Sequence, residues 1–178
     1  MHVIDNGKYR ITLTADSRFR LEDPSHTGYD FVLNPDEWQA DENYTVCRIS
    51  VSSSDKETVI GLVGPIETDF TDCAVLETDT LHVLMGTGIS SIDLNRITSP
   101  VFLRLDPSGY THGIYSCRDG YLLCCTYEIQ MLDRGFREVW HHETDAPITV
   151  CTIEENRIVL IDEDDNRHHI GFDGKRVA

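Results

Sequence analysis

The sequence predicts an all-β protein, an antiparallel meander of short hairpins with very little helix. Three observations carry that expectation. Apolar and polar residues alternate with a period of two, the pattern of a strand with one buried face. Polar corners such as Arg118-Asp119-Gly120 and Glu154-Glu155-Asn156 separate the apolar runs at hairpin distances. Asp, Asn and Gly suit such corners because they tolerate the positive φ of tight turns. Finally, before the C-terminal half the only helix signal is at residues 34–43, where Asn34 could cap and Pro35 open a single turn.

Taken in order, residues 8–15 alternate as a half-buried strand, Asp16-Ser17 turns the chain, and Arg18-Phe19-Arg20-Leu21 is expected to run back as the second strand of a hairpin. The charges of that return strand would blunt a sheet edge. A loop at 23–28 leads to a strand at Tyr29–Leu33. Tyr44–Val51 and Thr58–Val63 pair across a Ser-rich corner, and Gly64-Pro65 ends the pair. Cys73–Leu76 and Leu81–Met85 repeat the pattern, a bend follows at Gly86-Thr87-Gly88, and strands are expected at Ile89–Leu94 and Val101–Leu105. Asp106-Pro107-Ser108-Gly109 is a strong turn signal. From Gly113 to Val177 the strand–corner–strand unit occurs twice more.

The corners keep a rhythm. Asp16 to Asp55 is 39 residues, Asp79 to Asp119 is 40 and Asp119 to Asn156 is 37, although Asp55 to Asp79 is only 24. From Cys73 to the end, over residues 73–177, the units resemble β-propeller repeats in pattern: inner strand, turn, strand, bend, strand, outer strand. Neither the Trp-Asp and Gly-His signatures of WD40 repeats nor a kelch diglycine occurs. The resemblance implies four-stranded blades. A ring needs about four blades, so an incomplete or open propeller is expected, with a β-sandwich or barrel as the alternative. One domain, 1–178, is expected, with N-terminal strands over 1–72 and hairpin repeats over 73–178.

Fifteen basic residues stand against 31 acidic ones, for a formal net charge of −16. Such a field repels phosphate backbones and anionic membranes and attracts basic proteins or cations. No basic patch with interleaved aromatics points to nucleic acid. No leader pattern and no apolar window of membrane length is found, so the expected location is the cytoplasm. There the six cysteines (Cys47, Cys73, Cys117, Cys124, Cys125 and Cys151) stay reduced and pack as small hydrophobes, and the Asn43-Tyr44-Thr45 sequon carries no sugar.

Catalytic groups are hard to nominate. Cys124 and Cys125 lie mid-strand among apolar neighbours, where a thiol is deactivated. Two histidine pairs, His141-His142 followed by Glu143, and His168-His169, are the candidate metal ligands. Adjacent strand residues project to opposite faces, so only one ring from each pair could meet the other. The acidic stretch Asp162-Glu163-Asp164-Asp165-Asn166 has calcium-loop alternation, but Arg167 stands where the sharp turn needs glycine and no helices flank it. No cofactor is indicated.

The leading expectation is therefore a non-enzymatic protein-binding module for a basic partner, with Glu154, Glu155, Asp162, Glu163, Asp164 and Asp165 as its acidic face. In bulk properties it is similar to small acidic immunity proteins that inhibit toxins. A metal-binding protein or metal-dependent hydrolase built on the histidine pairs, and a small-molecule binder, are the alternatives.

Overall fold

The computed structural model describes residues 1–23, 25, 27–65, 72–86, 88–98, 100–105 and 110–177. The turn expected at 106–109 lies outside the described residues, as do Pro24, His26 and Thr87 of two expected loops. The described residues contain sixteen strands in four sheets and no helix. They divide into two compact units, Met1–Leu105 and Asp106–Ala178.

In the first unit, β1 (His2–Asp5), β2 (Arg10–Ala15), β3 (Phe31–Leu33), β4 (Thr45–Ser52) and β5 (Glu57–Gly64) form one sheet in the order β1-β2-β4-β5-β3. All its pairs are antiparallel except β3 with β5. Alternation decides the buried face: Ile11, Leu13, Ile49, Ile60 and Leu62 point to one side and are fully buried. They meet Leu81, Val83, Met85 and Ile92 of a second sheet, a meander of β6 (Ala74–Glu77), β7 (Thr80–Met85), β8 (Gly88–Asp93) and β9 (Val101–Arg104). Each such side chain contributes about 1.5–3 kcal/mol by leaving water.

The second unit repeats the meander. β10 (Thr111–Cys117), β11 (Gly120–Cys125), β12 (Glu128–Asp133) and β13 (Glu138–Glu143) make one sheet. β14 (Ile148–Ile153), β15 (Ile158–Asp162) and β16 (Arg167–Ile170) make the other. An isolated bridge between Ile170 and Arg176 starts a fourth lane beside β16. Leu122, Ile129 and Met131 pack against Ile158, Leu160 and Ile170 between the sheets. The opening strands of the last three sheets begin at Ala74, Thr111 and Ile148, 37 residues apart at each step.

Three corners of this unit share one device. At Asp133–Arg137, Asp162–Asn166 and Gly171–Lys175 the first residue's N–H donates to the carbonyl four residues on. The fourth residue (Phe136, Asp165 or Gly174) takes a left-handed φ of 59°, 61° or 78°. In the first two, an aspartate closes the turn: Asp133 accepts from the N–H groups of Gly135 and Arg137, and Asp162 from those of Asp164 and Asn166. Short polar side chains that bind their own turn make such corners local.

Four expectations change. Arg18–Leu21 is not a strand. β2 already has β1 on one side and β4 on the other, so no lane is left, and the Arg20 guanidinium satisfies the carbonyls of Ser17 and Phe19 instead. Phe19 tucks under Val46 and Val63, and the sheet's edges are β1 and β3. Residues 34–43 form turns rather than a helical turn: the Asn34 side chain accepts from the Trp38 N–H and donates to its carbonyl, and Glu37 has φ 57°. The strand β1 itself gave no advance signal. Finally, the Arg118–Gly120 and Glu154–Asn156 corners form without positive φ. Gly120 is needed for space, since a Cβ there would lie 1.8 Å from the Leu132 carbonyl oxygen.

Candidate functional site

The two sheets of the second unit enclose their core at one end and part at the other. At the parted end they leave a cleft of about 910 Å³. Its depth is lined by Cys117, Met131 and Ile153, its side by Trp140 and Val139, and its lip by Phe172. Met131 pairs with Trp140 across β12 and β13, so both face the neighbouring sheet, and a register shift beside this pair, with Val139 as the extra residue, lets Val139 line the same cleft. Val139 is 62% exposed and Phe172 38% exposed, an apolar lip in water.

Trp140 is held firmly. Its Nε1 donates to the Phe172 carbonyl at 3.0 Å. Its ring lies on the backbone of Gly174, where a Cβ would come 2.8 Å from the indole. With φ at +78°, Gly174 serves both the turn and this close approach. Phe172 is thereby fixed at the mouth.

Two hairpin corners form the polar rim, Arg118-Asp119 between β10 and β11 and Glu154-Glu155-Asn156 between β14 and β15, with Asp173 beside them. Glu154 is engaged by Arg157 at 2.6 Å and Asp173 by Lys175 at 3.1 Å. Asp119, Glu155 and Arg118 are exposed and make no ion pair among the described residues. Two carboxylates thus stand free against one guanidinium.

The remaining predicted acids lie at the opposite end of β15. Glu163, Asp164 and Asp165 are exposed there. Asp162 leaves the acidic surface: its side chain is 2% exposed. It accepts from His168 Nε2 at 3.0 Å, from the Asn166 and Asp164 N–H groups, and from the Asn166 amide. The His168 hydrogen bond, aided by the Asn166 and Asp164 donors, holds its carboxyl below the usual aspartate range.

One ring of each histidine pair does meet the other. His142 and His168 lie edge to face with centroids 6.1 Å apart, closing the end of the core opposite the cleft. His142 Nε2 is buried with no hydrogen-bond partner among the described residues. Burial, followed by the charges of Arg176 and His168, pushes its pKa down. His141 turns to the other face and donates to Glu138 at 2.8 Å, which raises its pKa. Glu143 is exposed, and His169 Nδ1 is buried without a hydrogen-bond partner among the described residues. Among the described residues no three His, Cys, Asp or Glu groups stand close enough to hold a metal ion. Cys124 and Cys125 are both buried, and burial, with Glu128 adding to it, pushes the Cys125 thiol up to about 12.

Reading the sequence misses Trp140, Phe172 and Gly174. The signal was present in Gly171-Phe172-Asp173-Gly174, a corner with glycine at both ends directly after β16.

No protein-family model matches the chain, and no curated protein matches it. Solved structures do. The crystal structure of BBS1N in complex with ARL6DN matches at 15% identity with a TM-score of 0.55, over 76% of this chain and 47% of that one. BamB from Moraxella catarrhalis matches at 11% identity with a TM-score of 0.50, over 84% of this chain and 50% of that one. Both are β-propeller proteins. The antiparallel meanders of β6–β9 and β10–β13 are blade-like, and the fold is propeller-like. The chain spans about half the length of the structures it matches, and at these identities the likeness concerns the fold alone.

Proposed function

We propose that the chain is a protein-binding module that receives a basic partner at the open end of its second unit, as an inhibitor or immunity protein would. The observation that carries this reading is the cleft itself. A blade core left open, with Val139 and Phe172 exposed at its lip and the free carboxylates of Asp119 and Glu155 on its rim, offers apolar area and charge at one place. Protein interfaces combine these two, a desolvated apolar centre and a polar rim that steers association. The formal charge of −16 favours encounter with cations over the whole surface. The matched BBS1N structure is itself a complex with another protein, which supports the reading by analogy of fold.

Capture of partners from native lysate at low and high salt tests it. A basic protein retained at low salt, released at high salt, and lost with the double variant Asp119→Lys, Glu155→Lys is the expected result. A partner whose retention ignores both salt and these two residues would overturn the assignment of the site.

A further inference from the structure

Resting on that reading, we infer that the cleft takes an extended segment whose one apolar side chain enters between Met131, Trp140 and Ile153, with a lysine or arginine two residues to either side. The floor of the cleft is blade core, and its walls are the partly exposed side chains of Trp140 and Ile153. Cys117 and Met131 form a nearly closed floor, 8% and 6% exposed, and the cleft of about 910 Å³ widens from there towards Val139 and Phe172 at the lip. That is room for a phenyl or long aliphatic group together with its backbone. A guest side chain there extends the core rather than touching a surface, which is the environment in which interface anchors act.

The rim sets the flanks. The free carboxylates belong to two different hairpin corners, Asp119 on β10–β11 and Glu155 on β14–β15, one from each sheet. A segment lying across the mouth passes both. In an extended chain, residues two apart share a face, so cations at the second position on each side of the anchor point down to the rim with it. Cations at the adjacent positions would point away. Arg118 disfavours a third cation and suits a carboxylate or a backbone carbonyl of the guest. Lys175 and Arg157 already occupy Asp173 and Glu154, so the segment needs two cations and no more.

Synthetic peptides test the inference. The probe is acetyl-Lys-Ser-Phe-Ser-Lys-amide, followed by the emission of Trp140 in a Trp38→Phe background, since the chain has two tryptophans. Saturable binding is expected. Replacing Phe by Ser should weaken it roughly ten- to a hundredfold, the worth of burying a phenyl ring. Replacing both Lys by Glu, or using the double variant Asp119→Asn, Glu155→Gln, should weaken it about three- to tenfold, as expected for exposed pairs. Both substituted carboxylates are on the surface, so folding is not at issue. Equal binding of the Phe and Ser peptides would overturn the anchor, and equal binding of the Lys and Glu peptides would overturn the flanks. If no peptide binds at millimolar concentration while the lysate partner is still captured through Asp119 and Glu155, this inference falls and the protein-binding reading stands. If both fail, both fall.

Discussion

The two ends of the core in the second unit are built from the same strands and come out differently. At one end His142 meets His168, His168 meets Asp162, and Asp162 gathers the donors of its own corner, so every side chain has a neighbour to press against. At the other end Trp140 is braced by Phe172 and Gly174 but faces open space. Polar groups close the first end and apolar groups leave the second open. The core between the two ends is apolar; at the closed end hydrogen bonds tie Asp162 to His168 and to its own corner, while His142 Nε2 is buried with no partner among the described residues. Buried polar groups must satisfy one another and so draw elements together, whereas an apolar lip is simply left wet until something covers it.

The largest expected contrast is in stability. Leu160→Ala, in the closed core, should lose about 2–5 kcal/mol in urea unfolding, because the site is filled on all sides. Ile153→Ala, in the cleft, should lose well under half of that, since it leaves no new cavity. Equal losses would mean that the two ends are packed alike.

Next comes Asp162. Asp162→Asn should lower the melting temperature more than the same change at Glu163→Gln, Asp164→Asn or Asp165→Asn, because only Asp162 is buried against four internal donors. Its folded pKa lies below the ordinary 3.8. The stabilisation is therefore complete above 3.8 and is lost as pH falls through the folded value. Melting curves of wild type and variant should converge in that acid range and differ most near neutrality. A gap that stays constant below pH 4 would contradict the hydrogen-bonded carboxylate at this corner.

A smaller effect should come from His142. Its folded pKa lies below 6.5, so the unfolded chain takes up the proton first as pH falls. Stability is unaffected well above 6.5 and declines as pH drops below it towards the folded value. In His142→Gln the decline between pH 7 and 5 should be shallower, as read from urea midpoints at each pH. An unchanged slope would show that His142 is not the group responsible.

Least of all, Glu155→Gln should leave stability within about 0.5 kcal/mol of wild type, while reducing the salt sensitivity of partner capture. A clear loss of stability would place Glu155 in the structure of its corner rather than at a free rim.

Much of this architecture is legible in residue order. The hairpins from Thr45 onward stand where alternation and corners put them, and β6 to β16 repeat as propeller blades do. The misreadings share a cause. Arg18–Leu21 alternates as well as any true strand, but a strand needs a free lane beside it, and both lanes of β2 are taken. β1 is only four residues long and half exposed, so its pattern is too short to weigh. The cleft was half legible. Glu154 and Glu155 were named for their charge, yet Trp140 and Phe172 looked like ordinary strand and turn residues. Of the histidines, the rule of opposite faces anticipated one ring from each pair, and the fold selected His142 and His168.

Residue order alone settled the corners and the strands between them, because a turn is decided by the φ and ψ preferences and side-chain hydrogen bonds of four or five neighbours. It could not separate Asp162 from Asp164, or Glu155 from Glu163, since acids at hairpin corners look alike in one dimension. The pairing of β15 with β16 decided which carboxylate was buried against a histidine, and the packing of sheet on sheet decided which stood free on a rim and at which end the cleft lies. The cleft depends on contacts between residues far apart in the chain, such as Trp140 with Phe172, and no local preference encodes those.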